Sequence, residues 1–227
     1  MQRFAVIGIG QFGSRVAQRL SELGAEVLAI DWDETVVESI RSRVSQAIQL
    51  DATDEAAFRA SGVDEVDTAI VAVGRDIEVS ILVVAQLVRL AVPHIVARAS
   101  GGLHEQILRN IGAHEITNPE EEMGDRMALQ LVAPEIHGRV LLPTGHEFME
   151  LDAPESFWDK SVDGLDLSEV FLIAVKRHNP SLSRAGQNEY RAEITSAPGG
   201  EFLVQKGDIL ALVGTSERLR GLAHLEG

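Results

Sequence analysis

The chain has 227 residues, of which 45% are hydrophobic and 24% charged, and its formal net charge at pH 7 is −15. Its length allows one large or two small domains with a sizeable core, and its composition is that of a globular rather than a disordered protein. The negative charge argues against nucleic acid and anionic lipid as partners, and the absence of cysteine excludes disulfides, thiol catalysis and cysteine-ligated metals and fits a reducing cytoplasm.

A glycine-rich segment follows the first apolar run. The run at 4–8 leads into Gly8, Gly10 and Gly13, spaced Gly-x-Gly-x-x-Gly, and apolar residues then recur at helical spacing over 12–23. This pattern predicts a strand, a tight turn at Gly8 and a helix. Gly10 would let a pyrophosphate approach the backbone at the positive end of the helix dipole, and Gly13 would let helix and strand pack closely.

An acidic residue lies where dinucleotide-binding folds place one. The second apolar run, 26–30, ends at Asp31, which is 21 positions after Gly10. In such folds, a carboxylate at this position accepts hydrogen bonds from ribose hydroxyls. The alternative interpretation is a surface aspartate that merely closes a strand, and the glycine spacing favours the ribose role.

Strand-like and helix-like segments alternate through the first half of the chain. Predicted strands cover 4–8, 26–30, 46–50, 68–73, 94–98 and 115–117, and predicted helices cover 12–23, 33–43, 54–60, 76–90 and 102–110. This alternation predicts the α/β fold class, with a Rossmann-like, doubly wound parallel sheet and right-handed crossovers. The most apolar window, 79–96, contains polar and charged residues and predicts a buried helix and strand rather than a membrane span.

Three further segments end predicted strands at the sheet edge where open α/β sheets bind ligands. Asp51 and Thr53 follow the third strand, where they would either meet the edge of an adenine ring or form a turn or helix cap. Val73 and Gly74 lie at the end of the fourth strand, and Gly74 is either a site of close ligand approach or an ordinary turn glycine. Arg98 ends the fifth strand and would either reach a phosphate or be solvated.

A connecting helix is predicted after the sixth strand. Asn118 is a candidate cap, Pro119 suits the first helical position, and the three glutamates at 120–122 favour the positive end of the helix dipole. Three apolar residues recur along one face before Pro134 ends the helix: Met123, Met127 and Leu131. We expect this face to pack against its own domain, and pairing with the helix of another subunit is the alternative.

Beyond Pro134 the pattern changes to short strand signals separated by brief helical segments. These signals cover 139–142, 148–151, 171–175, 202–204 and 209–213, and they predict a small α+β domain. His178, beside Asn179 and Pro180, is expected in a turn. The predicted domains are a nucleotide-binding domain at 1–118, a crossover helix and linker at 119–136, and an α+β domain at 137–227.

Candidate catalytic residues are scarce. No phosphate-binding Gly-x-x-x-x-Gly-Lys-Ser/Thr loop is present, and His146-Glu147 resembles the start of a zinc-protease helix but is followed by Glu150 where the second histidine would stand. A dehydrogenase needs a proton carrier beside the nicotinamide, and the second domain offers no convincing acid–base pair. The sequence therefore predicts a protein that is not an enzyme, with an NAD(P)-dependent oxidoreductase that has a small substrate domain as the alternative.

Several motifs together resemble one protein family, the KtrA/TrkA-type regulatory subunits of bacterial potassium uptake systems, which carry an RCK N-domain and a TrkA-C domain. The resemblance covers essentially the whole chain. Its most specific part is Pro-Glu-x-x-Met-Gly at 119–124 after Ile-Gly-Ala at 111–113. The other matching segments are 8–13 with Asp31, 71–74 and 207–214.

The resemblance implies a cytoplasmic, nucleotide-sensing subunit that gates potassium flux. Subunits of this family form rings, commonly dimer-based octamers, that dock on a membrane-embedded potassium translocating subunit of the KtrB/TrkH type. A nucleotide that binds the rings changes their shape through its different affinity for two conformations. The implied ligands are ATP or ADP, or NAD or NADH, and the implied location is the inner face of the plasma membrane, reached through the partner and without direct insertion.

The resemblance also assigns roles to individual residues. It places the following around the phosphates: Gly8, Gly10, Gln11, Phe12 and Gly13. It places Asp31 on ribose, Asp51 and Thr53 near adenine, and Arg98 near phosphate. Glu120 matches a glutamate that helps to hold a divalent cation, Mg²⁺ or Ca²⁺, beside ATP phosphates at a subunit interface, and its alternative role is that of a first-turn glutamate on a helix.

The chain departs from the family pattern at two places. Related chains often have arginine where this chain has Gln11, and that arginine can meet the γ-phosphate, so ADP or NAD(H) becomes the more plausible ligand. The stretch 164–170 lacks the arginine through which some relatives bind cyclic di-AMP, so we expect no binding of that ligand. A third hypothesis for the function is a metabolite-sensing module without a membrane partner.

Overall fold

The computed structural model describes residues 1–74, 76–182 and 188–223. Contacts divide the chain into two compact units, Met1–Met123 and Gly124–Gly227, and each unit has its own hydrophobic core. The division falls inside a helix. The finer assignment of domains to 1–118, 119–136 and 137–227 therefore stays a prediction.

The first unit is built around a parallel sheet of six strands. The strands are β1 (Arg3–Ile7), β2 (Glu26–Asp31), β3 (Gln46–Gln49), β4 (Thr68–Val71), β5 (His94–Arg98) and β6 (Glu115–Thr117), in the order β3-β2-β1-β4-β5-β6. The helices are α1 (Gln11–Glu22), α2 (Glu34–Ile40), α3 (Glu55–Ala60), α4 (Ile77–Arg89) and α5 (Gly102–Ile111). The predicted Rossmann-like, doubly wound sheet is confirmed, and the strand order reverses between β1 and β4, where such sheets bind ligands.

Apolar residues on both faces of the sheet explain why the helices cover it on both sides. Phe58, Val83 and Leu108 bring α3, α4 and α5 onto one face, and Ala17 and Ile40 bring α1 and α2 onto the other. All five side chains are buried. A parallel sheet needs this double cover because its crossover helices return over its faces.

The most apolar part of the sequence lies within the core of the first unit. Within 79–96, Val83, Val84 and Leu87 on α4 and Ile95 on β5 are fully buried, as predicted. In the described part of the chain, no helix is both long enough and apolar enough to cross a membrane.

The second unit is built on an antiparallel sheet. The order β11-β10-β13-β8-β7 joins β7 (Ile136–Leu141), β8 (His146–Asp152), β10 (Val170–Leu182), β11 (Asn188–Ser196) and β13 (Ile209–Thr215). A two-stranded ladder pairs β9 (Lys160–Ser161) with β12 (Leu203–Val204), and α7 (Ser216–Leu222) packs its Leu219 into the core. The predicted α+β class is confirmed, although β11 and α7 were not predicted.

The expectation of a turn at His178 is wrong, because His178, Asn179 and Pro180 lie within β10. Pairing of β10 with β13 ends at Lys176, whereas pairing with β11 continues to Leu182. Beyond Lys176, β10 therefore has a partner strand on one side only in the described ranges. A proline, which lacks a backbone N–H, is tolerated at such a strand edge.

The connecting helix α6 (Pro119–Val132) begins as predicted, since the backbone N–H of Glu121 donates to the Asn118 side chain at 3.4 Å. The expectation that its apolar stripe packs against its own domain is wrong. Met123, Met127 and Leu131 are 54%, 56% and 78% exposed. Leu129 packs against the core of the second unit instead, so a different face of α6 makes the contact.

A buried ion pair ties together three segments of the second unit. The Arg177 guanidinium donates two hydrogen bonds to the Asp208 carboxylate, both at 2.7 Å, and a third to the Leu203 carbonyl oxygen at 2.9 Å. The same carboxylate accepts the Gln205 N–H at 2.8 Å, and the Asp208 side chain is only 1% exposed. The hydrogen bonds to Asp208 raise the pKa of Arg177 above its ordinary value, so its guanidinium stays charged.

We predict that Asp208→Ala lowers the free energy of unfolding by about 3 kcal/mol, because it removes one partner of a largely desolvated pair. Urea-induced unfolding of the full chain measures this change. Asp166→Ala is the matched control, since Asp166 pairs with Arg218 but is 75% exposed, and its effect should be much smaller. Equal losses in the two variants would contradict the prediction.

Candidate functional site

The three glycines of the first turn differ in what surrounds them. Gly8 adopts a φ of +89°, which favours glycine, and a Cβ there would lie 3.0 Å from the Val73 side chain. At Gly13, a Cβ would overlap the carbonyl oxygen of Gly8. A Cβ at Gly10 would meet no protein atom within 4 Å. Gly8 therefore makes the turn, Gly13 allows close packing, and Gly10 borders open space.

That open space lies at the N-terminus of α1. Gly10 precedes the helix and supplies no capping side chain, and no acidic residue occupies the first turn. The first N–H groups of a helix lack intrahelical partners, and the helix dipole gives this end a partial positive charge. Gln11 and Phe12 lie in this first turn, so the geometry suits a bound anion such as phosphate.

The carboxylate of Asp31 lies between the glycine turn and α2. One oxygen accepts the backbone N–H of Ile9 at 2.6 Å, and the other accepts that of Asp33 at 3.0 Å. An ionised carboxylate has about four acceptor sites. Asp31 can therefore accept hydroxyl hydrogens of a sugar while it still holds the turn.

A pocket of about 260 Å³ opens at the carboxyl ends of the strands. Its apolar walls are formed by Ile7, Ile30, Leu50, Ala52, Val73 and Val79. The other lining residues are Gly8, Asp31, Trp32, Asp51 and Thr53. The pocket thus brings together five residues that the sequence singled out, Gly8, Asp31, Asp51, Thr53 and Val73, and apolar walls with a few polar groups are typical of small-molecule sites.

The segment after β3 both forms a turn and lines the pocket, so the two interpretations of Asp51 and Thr53 are compatible. One oxygen of the Asp51 carboxylate accepts the backbone N–H and the hydroxyl of Thr53 at 2.9 and 2.7 Å. These hydrogen bonds lower the pKa of Asp51, which stays ionised as a hydrogen-bond acceptor. Asp54 caps α3, and Gln86 of α4 donates to the Ala52 carbonyl oxygen at 3.1 Å, which holds the turn in place.

Three other predicted residues, Phe12, Gly74 and Glu120, lie around Arg98. The guanidinium carbon of Arg98 lies 5.8 Å from the centre of the Phe12 ring, and the guanidinium donates to the carboxylate of Glu120. A Cβ on Gly74 would lie 2.5 Å from the same guanidinium, so this glycine makes room for Arg98. The Arg98 side chain is only 20% exposed, and its Nε is buried with no partner among the described residues. The Arg98 guanidinium is therefore largely buried and positioned by its neighbours, and is not a solvated surface charge.

Glu120 as a metal ligand stays a prediction. Its carboxylate is paired with Arg98, and no three potential metal ligands converge within the described ranges. A divalent cation here would need additional oxygen ligands, which nucleotide phosphates or groups from a second subunit would have to supply.

His104 is a buried residue beside the loop that follows Arg98. It is 4% exposed, and its Nδ1 accepts the backbone N–H of Ser100 at 3.2 Å. Burial lowers the pKa of His104 because the charged imidazolium is poorly solvated there. Its neutral form therefore holds the loop at the carboxyl end of β5.

We predict that Gly13→Ala lowers the free energy of unfolding by at least about 2 kcal/mol, because a methyl group there overlaps backbone that cannot move independently. Gly10→Ala is the matched control and should change stability by less than about 1 kcal/mol, since its methyl group enters open space. Urea unfolding compares the two variants. Similar effects at both positions would show that the turn is packed differently.

We predict that the protein becomes less stable as the pH is lowered through about 6.5, the ordinary histidine pKa. Below this pH, His104 binds a proton in the unfolded chain more readily than in the folded protein, so the free energy of unfolding decreases. Unfolding curves at about pH 7.5 and pH 5.5 measure this loss. His104→Gln should reduce the difference between the two pH values, whereas His146→Gln, at an exposed site, should leave it unchanged. An unchanged difference in His104→Gln would refute the assignment.

The fold has counterparts among solved structures. The GsuK channel bound to NAD matches with a TM-score of 0.55 at 22% identity, covering 99% of this chain and 38% of the GsuK chain. GsuK bound to ADP matches with a TM-score of 0.51 at 24% identity, covering 57% of this chain and 34% of that one. At these identities the likeness shows the fold alone, and this chain spans less than half of the GsuK chain.

The sequence also has relatives of nearly equal length. Residues 4–119 match the profile of the TrkA-N domain. The Ktr system potassium uptake protein C of Bacillus subtilis (strain 168) is 31% identical over 217 residues, which cover 94% of this chain and 92% of that protein. Potassium uptake protein A of the same system and organism is 28% identical over 222 residues, or 96% and 94% of the two chains. By its TrkA-N domain and its 31% identity over almost the full length, the chain belongs to the family of Ktr potassium uptake proteins.

Proposed function

We propose that this protein is a cytoplasmic, nucleotide-sensing regulatory subunit of a bacterial potassium uptake system. One observation carries the proposal: in a chain of the Ktr family, the pocket at the strand carboxyl ends brings the glycine turn, Asp31 and the Asp51–Thr53 turn together. The protein controls potassium flux through a partner and catalyses no reaction of its own. The partner is a membrane-embedded potassium translocating subunit of the KtrB/TrkH type.

The ligand is an adenine nucleotide that lies across the carboxyl ends of the strands. Its base occupies the apolar pocket, its ribose hydroxyls meet Asp31, and its phosphates face the N-terminus of α1 beside Gly10. Gln11 in the first turn brings no positive charge to a γ-phosphate, which favours ADP or NAD(H) over ATP. The folds of GsuK solved with NAD and with ADP support both ligand classes.

Binding is coupled to the connecting helix through Arg98. The Arg98 guanidinium contacts Phe12 in the first turn of α1 and is paired with Glu120 in the first turn of α6. A phosphate that reaches Arg98 competes with the Glu120 carboxylate, and a divalent cation would bind the released carboxylate together with phosphate oxygens. The nucleotide then shifts the balance between two conformations by its different affinity for them.

The subunit acts as a homo-oligomer, built from dimers into an octameric ring. The exposed apolar stripe Met123, Met127 and Leu131 on α6 supports pairing between subunits, because such a stripe is costly to leave in water.

An NAD(P)-dependent oxidoreductase is the competing hypothesis for the function. It predicts turnover of NADH in the presence of carbonyl substrates, and such turnover by the purified protein would favour it.

We predict that Gly10→Asp abolishes nucleotide binding by placing a carboxylate where the phosphates approach the helix N-terminus. Calorimetric titration with ATP, ADP, NAD and NADH, each with and without Mg²⁺, measures the effect. Gly221→Asp is the matched control, since it makes the same change within α7, at a glycine that also has open space around its Cβ, and it should bind normally.

The results of these titrations distinguish between the proposed function and its alternatives. The proposal is supported if the natural chain and Gly221→Asp bind ADP or NAD(H) and Gly10→Asp does not. If binding depends on Mg²⁺ and Glu120→Gln removes that dependence, the cation is assigned to Glu120. Normal binding by a folded Gly10→Asp variant would refute the placement of the site. A second test uses cells that lack the regulatory subunit. If the natural chain restores potassium uptake in these cells and Gly10→Asp does not, the protein is a transport regulator and not a sensor without a membrane partner.

A further inference from the structure

One aromatic residue lines the pocket, and it is not among the residues of the described hydrophobic cores. Trp32 is 74% exposed, yet it is one of the residues that line the pocket, together with Leu50, Thr53 and Val79. The other tryptophan, Trp158, is half-buried and donates its indole N–H to the Ala153 carbonyl oxygen at 2.7 Å. The two indoles therefore differ: one stabilises the second unit, and the other faces solvent beside an apolar pocket.

The backbone of Trp32 is held on both sides although its indole is exposed. The Trp32 carbonyl oxygen accepts a hydrogen bond from the Gln49 side chain at 3.2 Å. On its two flanks, the Asp31 carbonyl oxygen accepts the Leu50 N–H at 2.8 Å, and the Asp31 carboxylate accepts the Asp33 N–H at 3.0 Å. The indole thus projects from a fixed point, and little backbone order has to be gained when it contacts a ligand.

The position of Trp32 in the chain relates it to a particular part of the ligand. It directly follows Asp31, the residue assigned to the ribose, and it shares the pocket with the Asp51–Thr53 turn. A group attached to the ribose and lying in this pocket is therefore a neighbour of Trp32. A flat aromatic base is the part of a nucleotide that gains most from such a neighbour, because stacking removes the facing surfaces of the base and the indole from water.

We propose that Trp32 stacks on the nucleobase and closes the outer side of the base pocket, a role that rests on the proposed nucleotide site. Stacking needs no hydrogen-bond partners, so Trp32 adds affinity for the base, while Asp51 and Thr53 read its edge. Trp32 is thus a binding residue of the site, and its indole becomes buried only when the nucleotide is present.

We predict that Trp32→Ala weakens ADP binding by roughly 5- to 100-fold, because it removes one stacking partner. Trp32→Phe keeps an aromatic face and should lose much less affinity. Phe171→Ala removes another exposed aromatic side chain, 69% exposed in the second unit, and should bind ADP normally. Because Trp32 is exposed, thermal unfolding of all three variants should match the natural chain.

Intrinsic fluorescence gives a second, independent readout, since the chain contains two tryptophans. ADP should change the emission of the natural chain, and Trp32→Phe should abolish that change while calorimetry still detects binding. Unchanged ADP affinity in Trp32→Ala, or a full fluorescence response in Trp32→Phe, would overturn the stacking role and leave the nucleotide site standing. Failure of the natural chain to bind ADP, ATP, NAD or NADH by calorimetry would instead overturn the proposed function, and the stacking role with it.

Discussion

The close approach of α1 to β1 is the constraint on which the rest of the site depends. The carbonyl oxygen of Gly8 occupies the place that a side chain at position 13 would need, so glycine alone allows the helix to start where it does. That start directs the first N–H groups of α1 toward the carboxyl edge of the sheet. It also brings Phe12 to Arg98 and leaves the Ile9 N–H for the Asp31 carboxylate. A single steric requirement therefore positions the first N–H groups of α1, the Asp31 carboxylate and Arg98 relative to one another.

For the proposed nucleotide, electrostatics favours attraction by backbone N–H groups and by one largely buried arginine. The chain carries a net charge of −15, so its overall field opposes an anionic ligand. Attraction must therefore be local, from unpaired N–H groups at the start of α1 and from Arg98, whose charge is partly offset by Glu120. The apolar pocket adds a contribution that does not depend on charge. A ligand with both a flat apolar base and phosphates matches this combination, whereas a simple inorganic anion uses only part of it.

Much of the first unit was predictable because its signals are local. The glycine spacing, the alternation of apolar runs and the acidic residue after β2 each depend on a few neighbouring residues, and the strands and helices they predicted are present. The missed features depend on distant partners. His178 and Pro180 carry turn signals, yet pairing with β11 extends β10 through them. Periodicity identified an apolar stripe on α6 but could not tell that Leu129, on another face, makes the packing contact.

The sequence by itself determined the α/β fold class, the glycine turn, the acidic residue at the end of β2 and the candidate residues at the strand ends, because spacing along the chain is enough to specify them. Only the tertiary structure decided how these residues divide between two groups. Gly74 proved to make room for Arg98, Glu120 to pair with it, and Trp32 to stand at the rim of the pocket. Such relations join strands that are adjacent in the sheet but distant in the chain, so they exist only once the sheet has formed.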